Sequence, residues 1–152
     1  MRPFTLSQTP RLFFGPGEAG KLPGLIQKFG RSVLLITGAK SFASSPFAAR
    51  FDAEASATSL NVSRFTISEE PSPEMIDTIV TKTGENPIDV VVAIGGGSVL
   101  DAGKAISAMI PLREPIKFYL EGIGSKIHPG RKIPFIAVPT TSGTGSESTK
   151  NA

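Results

Sequence analysis

The sequence predicts an α/β protein with a doubly wound, mostly parallel sheet. Short apolar runs alternate with segments whose apolar residues recur at helical spacing. Runs that are rich in β-branched residues suit strands buried on both faces, as parallel strands are. Two runs lead directly into unusual stretches, a triple glycine at residues 95–97 and a Ser/Thr-rich tract at 139–149. Because ligands bind at the carboxyl ends of strands in such sheets, these two stretches form the expected site.

The first half of the chain predicts a short strand at Arg11–Phe14, a helix at Gly24–Phe29 and a buried strand at Ser32–Thr37. A helix should follow at Pro46–Ala57, because proline fits the first turn and three apolar residues share one face. These residues are Phe47, Phe51 and Ala55. The alternating segment Asn61–Ile67 predicts the next strand.

The second half begins with a proline-bearing loop, after which a helix starts at Pro73 and closes near Gly84. The run Val90–Ile94 predicts the central strand, which is buried on both faces. A helix follows it and is succeeded by a polar connection. A last strand is expected at Ile133–Val138.

Three glycines, Gly95, Gly96 and Gly97, separate the central strand from its helix. Ser98 is the expected N-cap, and Asp101, three residues later, resembles the second half of a capping box. This geometry directs free N–H groups and a positive helix end at an anion, typically a phosphate. The spacing fits neither a P-loop nor the dinucleotide fingerprint GxGxxG, and a plain tight turn is the alternative.

A literal GxGxxG match occurs earlier, at Gly15–Gly20. A dinucleotide fingerprint follows a longer apolar strand and has an acidic residue about 20 positions further on. Here the apolar run covers only residues 12–14, and residues 38–40 include no acid. We therefore interpret this match as a glycine-rich turn that leads into a helix.

Gly38 follows the strand Ser32–Thr37, near the expected position of an adenosine ribose. An acidic residue there would repel a 2′-phosphate, whereas glycine repels nothing. Lys40 and Ser41 are able to bind phosphate, which favours NADP slightly over NAD. A simple turn with a solvated lysine explains the same residues equally well.

The tract Pro139–Thr149 consists almost entirely of small, hydroxylated or turn-forming residues. Hydroxyls and free amides at a strand end can hydrogen-bond a ribose, a phosphate or a carboxamide. A polar linker would have a similar composition. The buried strand that delivers the tract favours a ligand site.

Composition limits the classes of function. The 152 residues carry a formal net charge of +3 and include one histidine and no cysteine. Basic residues are scattered, which argues against nucleic acid as a partner, and no segment has the ~18 apolar residues of a membrane span. His128, in a polar loop, cannot form a zinc or iron site by itself. We expect a cytoplasmic protein without a membrane partner.

Two blocks of sequence together resemble the iron-containing, metal-dependent alcohol dehydrogenase family. Residues 95–104, GGGSVLDAGK, are similar to that family's GGGSxxDxxK, and residues 139–147, PTTSGTGSE, to its PTTxGTGSE. The resemblance covers the whole chain and implies a Rossmann-like NAD(P)-binding domain over residues 1–152. Such a domain is similar to the N-terminal domain of dehydroquinate synthase and would be truncated here at its C-terminal end, without the helical metal-binding domain.

The resemblance implies hydride transfer between an alcohol or aldehyde and NAD(P), and a homo-oligomer for the full-length protein. Gly96, Gly97 and Ser98 would hold the pyrophosphate. The other implied cofactor contacts are Gly38, Asp101, Thr140, Thr141, Thr144 and Asn151.

The family's metal ligands are one aspartate and three histidines, and all would lie beyond this chain. Iron or another divalent metal would then belong to the full-length enzyme, where it polarises the substrate oxygen. We expect the 152-residue chain to bind cofactor weakly and to be inactive alone. The alternatives are a non-catalytic nucleotide- or phosphate-binding module and a related polyol or glycerol-phosphate dehydrogenase.

Overall fold

The computed structural model describes residues 10–84 and 86–149 of the chain. Its centre is a four-stranded parallel sheet. The strands are β1 (Ser32–Gly38), β2 (Asn61–Ile67), β3 (Val90–Gly95) and β4 (Phe135–Pro139). The α-helices are α1 (Leu22–Ile26), α2 (Pro46–Ala57), α3 (Pro73–Lys82) and α4 (Gly97–Met109), with 3-10 turns at Glu18–Lys21 and Ile116–Tyr119. The predicted doubly wound α/β class is confirmed.

Helices cover both faces of the sheet. Val33 and Leu35 of β1 point to the face that α1 and α2 cover, whereas Leu34 and Ile36 point to the face of α3 and α4. Side chains alternate between the two faces of a strand, so a strand buried on both faces must be apolar throughout. This requirement explains the uninterrupted apolar runs of β1 and β3.

Serine caps and prolines start α2 and α3. The Ser45 hydroxyl accepts a hydrogen bond from the Ala48 N–H at 3.3 Å, and the Ser72 hydroxyl accepts one from the Met75 N–H at 3.2 Å. Each cap is followed by a proline, whose missing N–H costs nothing at the first helical position. The bounds predicted for α2 and β2 are confirmed, as is the start of α3.

The strand predicted at Arg11–Phe14 is wrong. These residues belong to no strand, and Leu12 and Phe14 are 78% and 91% exposed. Three apolar residues resemble a strand in sequence, but no strand of residues 10–84 and 86–149 pairs with them. The interpretation of Gly15–Gly20 as a turn is confirmed, because it leads into the 3-10 turn and then α1. That helix begins two residues before the predicted Gly24.

The strand order is β2-β1-β3-β4, which creates a crevice above the sheet. From β1 the chain moves outward to β2 and then crosses back to β3, so the connections leaving β1 and β3 diverge. Ligands of open parallel sheets bind in the crevice at such a point. Gly38 and Gly95 end the two strands that border it.

Two glycines allow α4 to lie unusually close to the sheet. A Cβ atom at Gly95 would lie 2.6 Å from the Val99 Cβ, and one at Gly103 would lie 2.7 Å from the Ala93 Cβ. Real Cβ atoms do not approach other atoms so closely, so close helix–strand packing requires glycine at both positions. Gly95 is thus needed for packing, while Gly96 and Gly97 form the turn above it.

None of the helices in the described ranges has the length and apolar character that a membrane span requires.

Candidate functional site

The helix α4 begins at the glycine turn. Gly96 is its N-cap, in an extended conformation, and Gly97 is its first residue. The first bond of the helix runs from the Leu100 N–H to the Gly96 carbonyl, at 3.1 Å. The amides that precede Leu100 have no partner within the helix and point out of its positive end.

The predicted capping arrangement is wrong. Ser98 is the second residue of α4 rather than its N-cap, and Asp101 is the fifth, too far along to close a capping box. Pairing of β3 with β4 continues through Gly95 and the chain turns immediately afterwards, so Gly96 takes the capping position and the helix begins at Gly97, earlier than predicted. The Ser98 hydroxyl instead donates to Glu70 Oε2 at 2.7 Å.

A cleft of about 340 Å³ lies between the loop that follows β2 and the start of α4. Gly96, Gly97 and Ser98 line one side, and residues 67–70 line the other. This cleft lies at the carboxyl ends of the strands, the edge of the sheet at which the strand order predicts a crevice. Its lining includes the Glu70 carboxylate, which sequence patterns gave no reason to place beside α4, since the contact spans 28 positions.

The Ser/Thr-rich tract meets the glycine turn. Residues 140–149, called the threonine loop below, leave β4 where Pro139 pairs with Gly95. The Thr140 N–H donates to the Gly95 carbonyl at 2.9 Å. A Cβ at Gly96 would lie 3.4 Å from Thr141 Oγ1. The two informative stretches are therefore neighbours.

Thr144 lies beside the first turn of α4. A Cβ at Gly97 would lie 3.2 Å from Thr144 Cγ2, a tighter contact than most Cβ atoms make. Gly143 and Gly145 flank this threonine with φ values of 94° and 69°, in the left-handed region that glycine adopts without strain. Thr140, Thr141 and Thr144 are all exposed. Their hydroxyls are accessible to a ligand in the crevice.

Asp101 and Lys104 face the threonine loop. Asp101 Oδ1 pairs with Lys104 Nζ at 2.8 Å, and Asp101 Oδ2 accepts a hydrogen bond from Ser146 Oγ at 3.2 Å. Lys104 Nζ also donates to Thr149 Oγ1 at 2.9 Å. The conspicuous Asp and Lys of the first block thus contact the second block.

Gly38 lies at the same edge of the sheet. A Cβ there would make ordinary contacts, 3.6 Å from Ser41 Oγ and 3.7 Å from the Val99 Cγ2 of α4. Lys40 and Ser41 are exposed in the following turn. Asn151, the last predicted cofactor contact, lies outside the described residues.

His128 holds a loop together. The Gly130 N–H donates to Nδ1 at 3.0 Å, so the ring proton is on Nε2, which donates to the Ala108 carbonyl at 3.1 Å. The ring packs edge-on against Tyr119. Within residues 10–84 and 86–149, no group of three or more His, Cys, Asp or Glu side chains is arranged to hold a metal ion. These residues therefore do not fit an iron site.

A second polar cluster lies on the loop after α4, away from the crevice. Hydrogen bonds from Lys126 and from the Tyr119 hydroxyl hold the pKa of Glu114 below its ordinary value. Loss of solvent and the bond to Glu114 raise the pKa of Tyr119, and the bond to Glu114 raises the pKa of Lys126. These bonds join residues 114, 119 and 126 of the loop, and none of them involves the glycine turn.

The fold is that of a Rossmann-like α/β domain, and its candidate site lies at the carboxyl ends of parallel strands. Residues 9–152 match the profile of the iron-containing alcohol dehydrogenase family, and the chain belongs to that family.

Named relatives agree with this assignment. The chain is 32% identical over 153 aligned residues to the probable NADH-dependent butanol dehydrogenase 1 of Bacillus subtilis (strain 168), covering 97% of this chain and 38% of that protein. It is also 32% identical to the NADH-dependent butanol dehydrogenase B of Clostridium acetobutylicum, covering 95% of this chain and 36% of that protein. The chain thus spans less than two-fifths of these curated relatives.

Solved structures show the same fold. The sulfoacetaldehyde reductase of Bifidobacterium kashiwanohense, in complex with NAD+, aligns with a TM-score of 0.81 and 30% identity, covering 97% of this chain and 39% of that chain. A crystal structure of an iron-containing alcohol dehydrogenase aligns with a TM-score of 0.80 and 25% identity, covering 97% and 40%. The cofactors named among these relatives are NADH and NAD+, and they give no support to the NADP preference expected from Gly38.

Proposed function

We propose that this chain is the nicotinamide-dinucleotide-binding part of an iron-containing alcohol dehydrogenase, which transfers hydride between an alcohol or aldehyde and the cofactor. The observation that carries the proposal is the meeting of the glycine turn and the threonine loop at the crevice of a parallel sheet. A ligand that needs both must have an anionic part and a part rich in hydroxyl and amide groups. A nicotinamide dinucleotide has both.

The glycine turn is the proposed site of the diphosphate. The amides of Gly97 and Ser98 lie at the positive end of a 13-residue helix, which attracts phosphate oxygens. Gly96 and Gly97 carry no side chain that would block close approach. A methyl group at Gly97 would lie 3.2 Å from Thr144 Cγ2, so Thr144 would have to shift slightly to admit it.

The threonine loop is the proposed site of the reducing half of the cofactor. The hydroxyls of Thr140, Thr141 and Thr144 are accessible and can donate to and accept from a ribose or a carboxamide. We propose a similar contact for Asn151. When bound, the nicotinamide supplies or accepts the hydride, and the residues of this chain bind and orient it.

At the adenosine end, Gly38 leaves the ribose 2′-position without an acidic neighbour. We propose that NAD(H), the cofactor named among relatives, binds here and that a 2′-phosphate is tolerated. NADPH should therefore bind within about tenfold of NADH. A preference for NADH of more than about a hundredfold would contradict this assignment of Gly38.

The chain by itself should catalyse no turnover. His128 uses both ring nitrogens, and the described residues hold no metal cluster that could polarise a substrate oxygen. We propose that the metal ligands and the substrate pocket of the enzyme lie outside residues 1–152.

The direct test is a titration of the purified chain with NADH and with ADP-ribose. Because the chain contains no tryptophan, binding is followed through NADH fluorescence or by calorimetry. Both ligands should saturate one site. Gly97→Ala should weaken both, whereas Gly24→Ala, whose new methyl meets nothing within 4 Å, is the matched control and should not.

Absence of saturable binding by either ligand would overturn the proposal. If the parent chain and Gly97→Ala bound NADH and ADP-ribose with equal affinity, the diphosphate would not lie at the glycine turn, and the crevice would have no assigned ligand.

A further inference from the structure

We infer that Asp101 and Lys104 are positioning residues that fasten the threonine loop to α4, and that neither touches the cofactor. The inference rests on the proposed function, because it concerns the loop that is assigned to the reducing half of the dinucleotide. It replaces the expectation that Asp101 is a cofactor contact.

The contacts run from one helix face to two points of the loop. Asp101 holds Ser146 through a hydroxyl-to-carboxylate bond of 3.2 Å, and Lys104 holds Thr149 through a bond of 2.9 Å. The two helix residues are paired with each other at 2.8 Å. Since residues three apart lie on one face of a helix, the pair presents both fastening groups in the same direction.

Burial makes these contacts stronger than ordinary surface ones. Ser146 is 7% exposed, and the side chains of Lys104 and Asp101 are 11% and 28% exposed. Charges that are partly removed from solvent are screened less than exposed pairs, and hydrogen bonds to charged groups are the stronger ones. Both Asp101 oxygens are already used by Lys104 and Ser146. The carboxylate is therefore held against the threonine loop.

The loop has little structure of its own to hold it. Within it, the Ser148 N–H bonds the Gly145 carbonyl, and the Ser146 N–H makes a long contact of 3.5 Å with Thr144 Oγ1. Two left-handed glycines flank Thr144, and such a backbone has many alternatives when it is released. The bond from Ser146 to Asp101 therefore determines how far Thr144 lies from the glycine turn.

Two variants test the fastening at its centre. Asp101→Asn keeps an acceptor but removes the charge, and Ser146→Ala removes the donor. The matched control is Glu54→Gln, which breaks the 2.7 Å ion pair between Arg50 and Glu54 on α2. That pair also lies within one helix but does not contact the threonine loop.

The first measurement is amide hydrogen exchange in the free protein. Both variants should accelerate exchange of residues 140–149 by about tenfold, while exchange in β1 and β3 stays at the parent rate. The control should change neither. Unchanged exchange rates in residues 140–149 would contradict the inference that Asp101 fastens the loop. Accelerated exchange in β1 and β3 would also contradict it, because it would show a general loss of stability and not a local effect on the loop.

The second measurement compares dissociation constants for NADH and ADP. Misplacing the threonine loop should weaken NADH by about fivefold and ADP by less than about twofold, because ADP carries the diphosphate but lacks the second ribose and the nicotinamide that would reach the loop. Equal weakening of both ligands in Asp101→Asn would overturn the inference in favour of a direct diphosphate contact. If the parent chain binds neither ligand, the proposed function fails, and hydrogen exchange alone decides the fastening.

Discussion

Replacing Gly103 with alanine tests how closely α4 is seated on the sheet. The new Cβ would lie 2.7 Å from the Ala93 Cβ and 2.8 Å from the Phe135 ring, distances at which something must move. Overpacking of this kind costs about 1–3 kcal/mol, whereas alanine in a helix gains about 1 kcal/mol over glycine. Because the Ala93 Cβ is fixed to its strand and cannot rotate away, the steric cost falls in the upper part of that range, about 2–3 kcal/mol, and the free energy of unfolding should fall by about 1–2 kcal/mol.

The assay is urea denaturation followed by circular dichroism, with Gly24→Ala as the matched control. Gly24 also lies within a helix, but a Cβ there would meet nothing within 4 Å. The control should therefore gain up to about 1 kcal/mol from helix propensity. If Gly103→Ala were as stable as the parent chain, α4 would not be packed against β3 as described, and the close approach that positions the glycine turn would lose its basis.

Three further perturbations follow from particular contacts. Glu70→Gln should tighten binding of NADH and ADP-ribose by about threefold at low salt and by less at high salt. The Glu70 carboxylate accepts a hydrogen bond from Ser98 beside the proposed diphosphate site, and the substitution removes its negative charge. Phe51→Ala should lower the free energy of unfolding by about 3–5 kcal/mol in urea denaturation, since Phe51 is fully buried under the sheet. Glu114 has a pKa in the folded protein that lies below its unfolded value of 4.5. The stability that it contributes is therefore present above pH 4.5 and is lost as the pH falls through the folded pKa. Glu114→Gln should make the free energy of unfolding less dependent on pH in this acidic range.

Each of these outcomes has a result that would contradict it. Glu69→Gln removes the neighbouring carboxylate and should act less strongly than Glu70→Gln; equal effects would mean that only net charge matters. A loss below about 1 kcal/mol for Phe51→Ala would place that ring outside a packed core. If the free energy of unfolding of Glu114→Gln depended on pH in the acidic range as it does in the parent chain, the contacts of Glu114 with Lys126 and Tyr119 would not persist in solution.

Several elements could be predicted from local pattern because their physical causes are local. A strand buried on both faces must be apolar along its length, which made β1 and β3 recognisable. A serine followed by proline marks the start of α3, where cap and first turn are adjacent in sequence. The same logic predicted a strand at Arg11–Phe14, wrongly, because a short apolar run forms a strand only when a neighbour pairs with it.

The error at Ser98 has a similar origin. Serine before an amphipathic run is a good N-cap, and local preference places the helix start there. The helix begins earlier because β3 pairs with β4 through Gly95 and the chain must turn immediately afterwards. Tertiary pairing overrides a local preference that is worth only about 1 kcal/mol.

The sequence by itself determined the α/β class, the two blocks of small residues and their resemblance to the iron-containing alcohol dehydrogenases, because each depends on residues that are close together along the chain. Only the tertiary structure decided which of them meet. Asp101 reaches Ser146 across 45 positions, and Ser98 reaches Glu70 across 28. Such pairs depend on strand order and register, which bring distant segments to one edge of the sheet and leave no periodic trace in the sequence.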